Sequence, residues 1–403
     1  MNIFKKFYCR CYQTAFRIIL PLLPYREPKI LENNDEVINT LKANDIKSVF
    51  FVTDKTIRGF NLTYPLENKI KNCEINLCVF DDVMPNPTIT AVENAREMYI
   101  QNNCDSIIAL GGGSVIDLAK TVGARIVKPQ LSVNKMKGLL KIRKKLPLLI
   151  AIPTTAGTGS ETTLAAVITD DKTHYKYAIN DFSLIPHYAL LDYNLTLGLN
   201  PKITSTTGMD ALTHAVEAYI GRSTTKQTRN ASISAIKLIK ENLEEAVLNG
   251  KNATARQNML KASYLAGVAF TKSYVGYVHA IAHSLGGKYG VPHGLANAVI
   301  LPIMLKSYGK SAHKKLYNIA LQIGLCNKND SIGVGANNFI NWIETLNKKF
   351  NIPTFVEQLK EEDVLELAEK ADKEGNPLYP VPKLMNKFEL ADVYKKLLPP
   401  NQK

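Results

Sequence analysis

The chain has 403 residues, of which 45% are hydrophobic and 21% are charged, and its formal net charge is +14. This balance is that of an ordinary globular protein long enough for two domains, and it excludes a disordered chain. Lysine is spread along the chain, with one compact basic run at 141–145, so we predict a solvated surface that favours small anionic ligands over nucleic acid. The six cysteines contain no C-x-x-C pair, which is typical of a reduced, cytoplasmic protein and not of a disulfide framework.

The first 22 residues form an amphipathic extension. Lys5, Lys6 and Arg10 precede an apolar run, Ile18–Leu23, that is far too short to span a bilayer. Apolar residues recur at helical spacing, which predicts a helix; they are Phe4, Phe7, Cys11, Ala15, Ile18, Ile19 and Leu22. Two roles stay open for this helix: packing on its own protein or a sister subunit, and peripheral contact with a membrane surface.

Residues 23–200 alternate short apolar runs with helical patterns. The predicted strands are 48–53, 76–80, 106–110 and 148–152, and the predicted helices are 90–102 and about 113–122. Alternation of buried strands with helices predicts a parallel, doubly wound, Rossmann-like sheet.

Three polar segments in this half are candidates for a dinucleotide site. The stretch from Gly111 to Ser114 joins a strand to a helix, where glycines and free N–H groups suit a diphosphate, although Ile116 breaks the G-x-G-x-x-G pattern and a structural tight turn remains possible. Asp54 ends an earlier strand; a carboxylate there suits a ribose 2′-hydroxyl and repels a 2′-phosphate, which favours NAD over NADP, but a simple cap is the alternative.

The third segment, residues 153–161, crowds hydroxyl groups around two glycines. Thr154, Thr155 and Thr158 could bind ribose, phosphate or the nicotinamide amide, or merely form a polar turn. Lys176 follows and could reach a ribose or a phosphate, or be a surface charge.

From residue 201 to 403 the long patterned stretches are helical. They lie at 208–220, 228–247, 254–272, 276–289, 293–308, 311–324, 334–348, 361–371 and 387–397, with a Pro-rich loop before the last. We therefore predict a second, all-helical domain that starts near residue 200.

Four residues of the helical half suggest a metal site. Asp210 and His214 are four residues apart, on one face of a helix, and His279 and His283 repeat that spacing before His293. One carboxylate and three imidazoles from Asp210, His214, His279 and His293 suit Fe(II) or Zn(II). The alternative is a set of unrelated polar residues, but their small and apolar neighbours do not resemble a solvated surface.

Several segments resemble those of the iron-containing, group III alcohol dehydrogenase family. The motifs are MPNPTI (84–89), GGGSVIDLAK (111–120), AIPTTAGTGSE (151–161), GMDALTHAVEAY (208–219), HAIAHSLGGKYGVPHG (279–294) and GNPLYPVP (375–382). The resemblance runs from about Leu23 to the C-terminus and departs from the family at 30–37, where glycines are frequent, and at Val115, where proline is frequent.

The resemblance implies an N-terminal dinucleotide-binding α/β domain and a C-terminal helical domain that holds the metal. It implies Asp210, His214, His279 and His293 as metal ligands and His283 as the residue that assists proton transfer. The implied cofactor contacts are Asp54, Asn86, Gly112, Gly113, Ser114, Thr154, Thr155, Thr158 and Lys176.

The implied reaction is metal-dependent hydride transfer between NAD(H) and small primary alcohols, diols or their aldehydes. In this chemistry the metal, Fe(II) by resemblance or Zn(II), lowers the pKa of the alcohol before its carbon gives up hydride. Members of the family often dimerise, so the resemblance also implies a homodimer. A glycerol-type polyol dehydrogenase, a dehydroquinate-synthase-like lyase and a non-catalytic nucleotide-binding scaffold remain as alternatives.

Overall fold

A computed structural model describes residues 1–173 and 175–402. The chain forms two compact units: an α/β unit of residues 24–199 and 251–267, and a helical unit of residues 1–23, 200–250 and 268–403. Residues 251–267, which include the first part of the helix at Ala253–Ser273, thus belong to the α/β unit although they lie within the helical half of the sequence. No helix among the described residues combines the length and apolarity needed to cross a bilayer.

The α/β unit is built on a six-stranded, fully parallel sheet. Its strands, in spatial order, are β1 (Lys29–Leu31), β9 (Tyr188–Leu190), β6 (Leu148–Pro153), β4 (Ser106–Gly111), β2 (Ser48–Val52) and β3 (Asn76–Phe80). All five residues of β2 are buried, and alternate residues pack into two separate cores: Phe50 and Val52 into one, Val49 and Phe51 into the other. Because both faces are covered, the strands are continuously apolar, and the predicted doubly wound sheet is confirmed.

The helices of this unit follow the strands. They are α2 (Asn34–Ala43), α3 (Lys55–Gly59), α4 (Tyr64–Lys71), α5 (Ile89–Gln101), α6 (Gly113–Val127) and α7 (Val133–Met136). The chain moves outward from β2 to β3 and then returns to the other side of β2 with β4. This reversal between β2 and β4 is a topological switch point, and ligands of parallel sheets bind beyond the carboxyl ends of such strands.

A second, three-stranded sheet lies in the same unit and has no counterpart in the sequence prediction. It contains β5 (Gly138–Leu139), β8 (Lys176–Asn180) and β7 (Ala165–Thr169), and β7 pairs with β8 antiparallel. In both longer strands, half-buried and buried residues alternate. Lys176 is the first residue of β8 and is half-buried.

The helical unit contains α1 (Ile3–Ile19), α8 (Pro201–Ile220), α9 (Lys226–Leu248), α11 (Tyr277–Tyr289), α12 (His293–Tyr308), α13 (Lys310–Gln322), α14 (Ile332–Lys349), α15 (Val364–Gly375) and α16 (Lys387–Leu397), with the last part of α10 (Ala253–Ser273). The ends of α8 and α11 have local causes. Asn200 caps α8 by accepting from the Ile203 N–H, with Pro201 at the first helical position. Gly290, with φ of 67°, ends α11 in the left-handed conformation.

The N-terminal helix α1 is anchored to the helical unit by polar contacts. The buried Gln13 side chain donates to the carbonyls of Pro377 and Tyr379, and the Arg10 guanidinium donates to the carbonyls of Val381 and Pro382. These contacts fix which side of α1 faces the protein, so α1 packs on its own protein through one face.

Candidate functional site

Three helices of the helical unit bring the predicted ligand set together. Asp210 and His214 lie one turn apart on α8, His279 lies in the first turn of α11, and His293 is the first residue of α12. One potential ligand atom from each of the four residues lies within 4.8 Å of the others. Helix α8 thus contributes two neighbouring members of the cluster, and the start of α12 contributes the fourth member, His293.

The donor set fits a borderline divalent cation. Bonds of about 2.0–2.2 Å to one ion hold ligand atoms roughly 3–4.4 Å apart, so small rotations of these side chains suffice to share an ion. Asp210, His214 and His279 are buried, while the His293 side chain is 35% exposed. One edge of the cluster is therefore accessible to a small molecule.

Burial sets the charge state of the cluster. It raises the pKa of Asp210 to about 7, and the hydrogen bond from Asn297 opposes this rise. It also lowers the pKa of His279 well below the ordinary value. A carboxylate that is costly to ionise and an imidazole that stays neutral are both stabilised by a cation at the same point.

Glu217, which the sequence analysis missed, orients His279. Its Oε2 lies 2.6 Å from His279 Nδ1, and its two oxygens accept the N–H groups of Gly276 and Val278. An ionised Glu217 carboxylate can only accept hydrogen bonds, so the proton of the His279 ring lies on Nδ1. The lone pair on His279 Nε2 then faces Asp210, whose Oδ1 is 3.9 Å away. A carboxylate behind a histidine ligand is a recurrent feature of metal sites.

Asn297 is a second residue that was missed. It is fully buried, one turn after His293 on α12, and its amide nitrogen donates to Asp210 Oδ1 at 2.6 Å. The same nitrogen lies 3.3 Å from His279 Nε2 and 3.1 Å from His293 Nε2. Asn297 therefore fixes the Asp210 carboxylate relative to two of the rings.

His283 stands beside the cluster with an acidic partner of its own. Its ring stacks on His293 at a centroid distance of 5.2 Å, and its Nδ1 lies 2.7 Å from Glu374 Oε1. The Tyr379 hydroxyl donates to the same oxygen at 2.8 Å. Both partners come from the segment that begins at the end of α15, which was predicted as a Pro-rich loop and contains the family motif at 375–382.

In the α/β unit, the two glycine-containing loops contact each other beyond β4 and β6. A Cβ added to Gly113 would fall 2.9 Å from Thr158 Cγ2, and one added to Gly112 would lie 3.9 Å from Thr155 Oγ1. The Thr154 N–H donates to the Gly111 carbonyl at 3.0 Å. The loops thus place hydroxyls and the N-terminus of the 15-residue helix α6 at the carboxyl edge of the sheet, where a diphosphate finds free N–H groups.

Of the remaining predicted cofactor residues, Asp54 and Asn86 lie near the same edge, while Lys176 begins β8 of the second sheet. Asp54 follows β2, on the other side of the switch point, and its Oδ1 caps α3 by accepting from Ile57 N at 2.9 Å. Asn86, in the left-handed conformation with φ of 61°, donates its N–H to Ser114 Oγ at 3.3 Å. Burial lowers the pKa of Lys176, and the charge of Asp117 opposes this.

Asp117 and Lys120 form a buried polar connection that the sequence analysis did not single out. Lys120 is fully buried, and its ammonium donates to Ser160 Oγ, Thr163 Oγ1 and two carbonyls. Asp117 accepts from Ser160 Oγ at 2.6 Å. Their i,i+3 spacing on α6 was the available signal; together they attach the loop at 153–161 to the helix that follows the glycines.

Two family models match the chain over most of its length. Residues 28–193 match "Iron-containing alcohol dehydrogenase", and residues 204–398 match "Fe-containing alcohol dehydrogenase family, C-terminal". The 1,3-propanediol dehydrogenase of Citrobacter freundii is 38% identical over 358 residues, 87% of this chain and 91% of that protein. The NAD-dependent methanol dehydrogenase of Bacillus methanolicus is 36% identical over 338 residues, 83% and 88% of the two chains.

A solved structure of a 1,3-propanediol oxidoreductase superposes with a TM-score of 0.89 at 34% identity, and the match covers 93% of this chain and 99% of that one. Because the match covers 93% of this chain, it includes the parallel sheet as well as most of the helical unit. The chain belongs to the iron-containing alcohol dehydrogenase family of oxidoreductases.

Proposed function

We propose that this protein is an NAD-linked, metal-dependent alcohol dehydrogenase or aldehyde reductase that acts on small primary alcohols, diols or their aldehydes. The observation that carries the proposal is the convergence of Asp210, His214, His279 and His293, whose ligand atoms lie within 4.8 Å of one another. Relatives named for 1,3-propanediol and methanol support the substrate class.

The four residues of the cluster hold one divalent cation, Fe(II) by family and Zn(II) as the alternative. Such a cation acts as a Lewis acid on a substrate hydroxyl or carbonyl oxygen. Glu217 keeps the proton on His279 Nδ1, and Asn297 holds the Asp210 carboxylate. His283 exchanges the substrate's proton, with Glu374 and Tyr379 fixing the orientation of its ring.

NAD occupies the carboxyl edge of the parallel sheet. The N–H groups at the start of α6, with Gly112, Gly113 and Ser114, bind the diphosphate. Asp54 accepts from the adenosine ribose, and the hydroxyls of Thr154, Thr155 and Thr158, with Asn86 and Lys176, complete the nucleotide contacts. Bound NAD(H) would supply the hydride chemistry, and these residues would hold it in place. We further propose that the protein is cytoplasmic and forms a homodimer.

Metal replacement tests this function. Protein stripped of metal and reloaded without oxygen with Fe(II) or Zn(II) is assayed on a panel of small alcohols, diols and aldehydes with NAD(H). We expect net NADH formation from a primary alcohol only after reloading, with Fe(II) the more active. Consumption of a substrate with no net NADH would favour a lyase, and full activity with Zn(II) alone would refute the iron assignment.

The cofactor preference depends on Asp54. Replacing it by serine retains a helix cap for α3 but removes the charge that repels a 2′-phosphate. We expect the ratio of kcat/KM with NADPH to that with NADH to rise by about tenfold to a hundredfold, on the scale of one partly screened charge contact. Steady-state kinetics with both cofactors provide the measurement.

The matched control is Asp192→Ser. Asp192 also caps a short helix after a strand by accepting from Asn194 N, so its loss should leave the cofactor ratio unchanged. An unchanged ratio in Asp54→Ser would remove Asp54 from the ribose site while leaving the metal chemistry untouched.

A further inference from the structure

The outer face of α1 concentrates exposed apolar side chains. Of the twenty exposed large hydrophobic residues among those described, seven lie within the first 22 residues, including Phe4 at 82%, Phe7 at 71%, Ile18 at 70% and Leu22 at 82% exposed. The exposed residues 4, 8, 11, 15, 18 and 22 are alternately four and three positions apart, so they form one stripe along the helix. Scattered single hydrophobic residues are normal on a surface, but a contiguous stripe marks an interaction site.

The orientation of this stripe is fixed by the protein. Cys9, Gln13 and Leu20 face inward and are buried, and Phe16 packs edge-on against Tyr274 at 5.1 Å. The hydrogen bonds of Gln13 and Arg10 to carbonyls of residues 377–382 prevent rotation of the helix. The apolar stripe therefore cannot turn into the core of its own chain.

The charged side chains of α1 itself are all positive. Helix α1 contains Lys5, Lys6, Arg10 and Arg17 and no acidic residue. Arg17, Arg222 and Arg229 together lower the pKa of Lys315, after the effect of its burial, so cations cluster beside the second half of α1. The nearby acids are at the first half, where Asp372 pairs with Lys5 and Glu389 with the N-terminal amine.

This charge pattern indicates which kind of partner the apolar stripe of α1 can bind. Lys5 is paired with Asp372 and Arg10 with carbonyls of its own chain, so Lys6 and Arg17 are the cations that remain. A second copy of α1, parallel or antiparallel, would bring these two cations against the same two cations, which opposes self-pairing. A surface of anionic lipid headgroups offers the complementary charge, and an amphipathic helix buries its apolar face at the headgroup boundary without spanning.

We propose that α1 docks the protein on anionic membrane surfaces through its outer face. Phe4, Phe7, Ile18 and Leu22 enter the interface, and Lys6 and Arg17 contact the headgroups. The contact is peripheral and reversible, because a single amphipathic helix with few cations binds weakly and is released by salt.

Vesicle flotation of the full chain tests this proposal. The vesicles are phosphatidylcholine alone or equal parts phosphatidylcholine and phosphatidylglycerol. The outer-face variant is Phe7→Gln/Ile18→Gln, and the control is Phe60→Gln/Leu248→Gln, whose replaced side chains are 70% and 68% exposed. We expect wild type and control to float with the anionic vesicles at low salt, and the outer-face variant to lose about tenfold or more of its partitioning.

Turnover of all three proteins should be equal, because the replaced side chains are exposed and none of them belongs to the proposed metal or cofactor site. No binding by wild type, or equal binding by wild type and the outer-face variant, would overturn the proposal. A wild-type assembly in solution that the outer-face variant dissociates would also overturn it, since a second copy would then cover the stripe.

Discussion

Replacing His279 or His293 by alanine is expected to lower turnover by about a thousandfold or more while NADH binding stays near wild type. Each change removes one ligand atom from the four-residue cluster, and loss of Lewis-acid stabilisation costs several kcal/mol of the barrier. The proposed dinucleotide residues belong to the α/β unit, so they stay intact. Anaerobic assays after reloading with Fe(II), metal content by mass spectrometry and NADH fluorescence provide the three measurements.

Comparing His293→Ala with His279→Ala, and both with His313→Ala, distinguishes loss of a metal ligand from other effects of the substitutions. His279 is buried but His293 is partly exposed, so His293→Ala separates loss of a ligand from loss of packing. His313→Ala, on α13 outside the cluster, is the histidine control and should retain both metal and turnover. Wild-type turnover in His279→Ala and His293→Ala would contradict the ligand assignment and the proposed function with it.

Much of the fold was predictable because strong local patterns decide it. The strand at Asn76–Phe80 and the helices at His293–Tyr308 and Lys387–Leu397 coincide with the predicted ranges, since apolar periodicity and clear breakers set their ends. The strands β1 and β9, with three residues each, have too little sequence to show a pattern. By contrast, β7 and β8 are consecutive antiparallel strands with alternating burial, and Asp170 and Asp171 follow β7 directly; this local hairpin signal was overlooked.

The candidate site likewise contains residues that the sequence predicts and residues that only the fold reveals. Asp210, His214, His279 and His293 were predictable because few side-chain types bind metals, and because Asp210 and His214 stand four residues apart on one helix. Glu217 lies seven residues after Asp210, on the same helical face, and that was a usable signal, but an acid on a helix is ordinarily a solvated charge. Asn297 carries no charge, and only its distances to Asp210 and the rings reveal its role.

The anchoring of α1 was not predictable in this way. The stripe of apolar residues predicted a helix, but it did not distinguish an inner from an outer face. Arg10 and Gln13 decide that by donating to carbonyls more than 360 positions away in the chain. Polar residues that satisfy distant backbone groups can only be identified once the fold is known.

Glu217→Gln is expected to weaken metal binding by about tenfold to a hundredfold, the usual cost of losing a partner behind a ligand. In wild type one oxygen of Glu217 faces His279 Nδ1 and the Gly276 N–H, and the other faces the Val278 N–H. A glutamine supplies only one acceptor, so its amide N–H must oppose one of these donors. The His279 ring loses either its fixed tautomer or the negative charge that makes Nε2 a better donor to a cation.

The measurement is a competitive metal titration of the metal-free protein, read by chelator absorbance, together with its melting temperature. Because Glu217 acts through His279 and is no ligand itself, saturating metal should restore turnover to within about tenfold of wild type, which it cannot do for His279→Ala. Glu244→Gln, which breaks only an exposed ion pair with Lys349, is the control and should not change metal affinity. A drop in melting temperature with unchanged metal affinity would show that Glu217 stabilises the fold only. It would contradict the proposal that Glu217 orients His279 for metal binding.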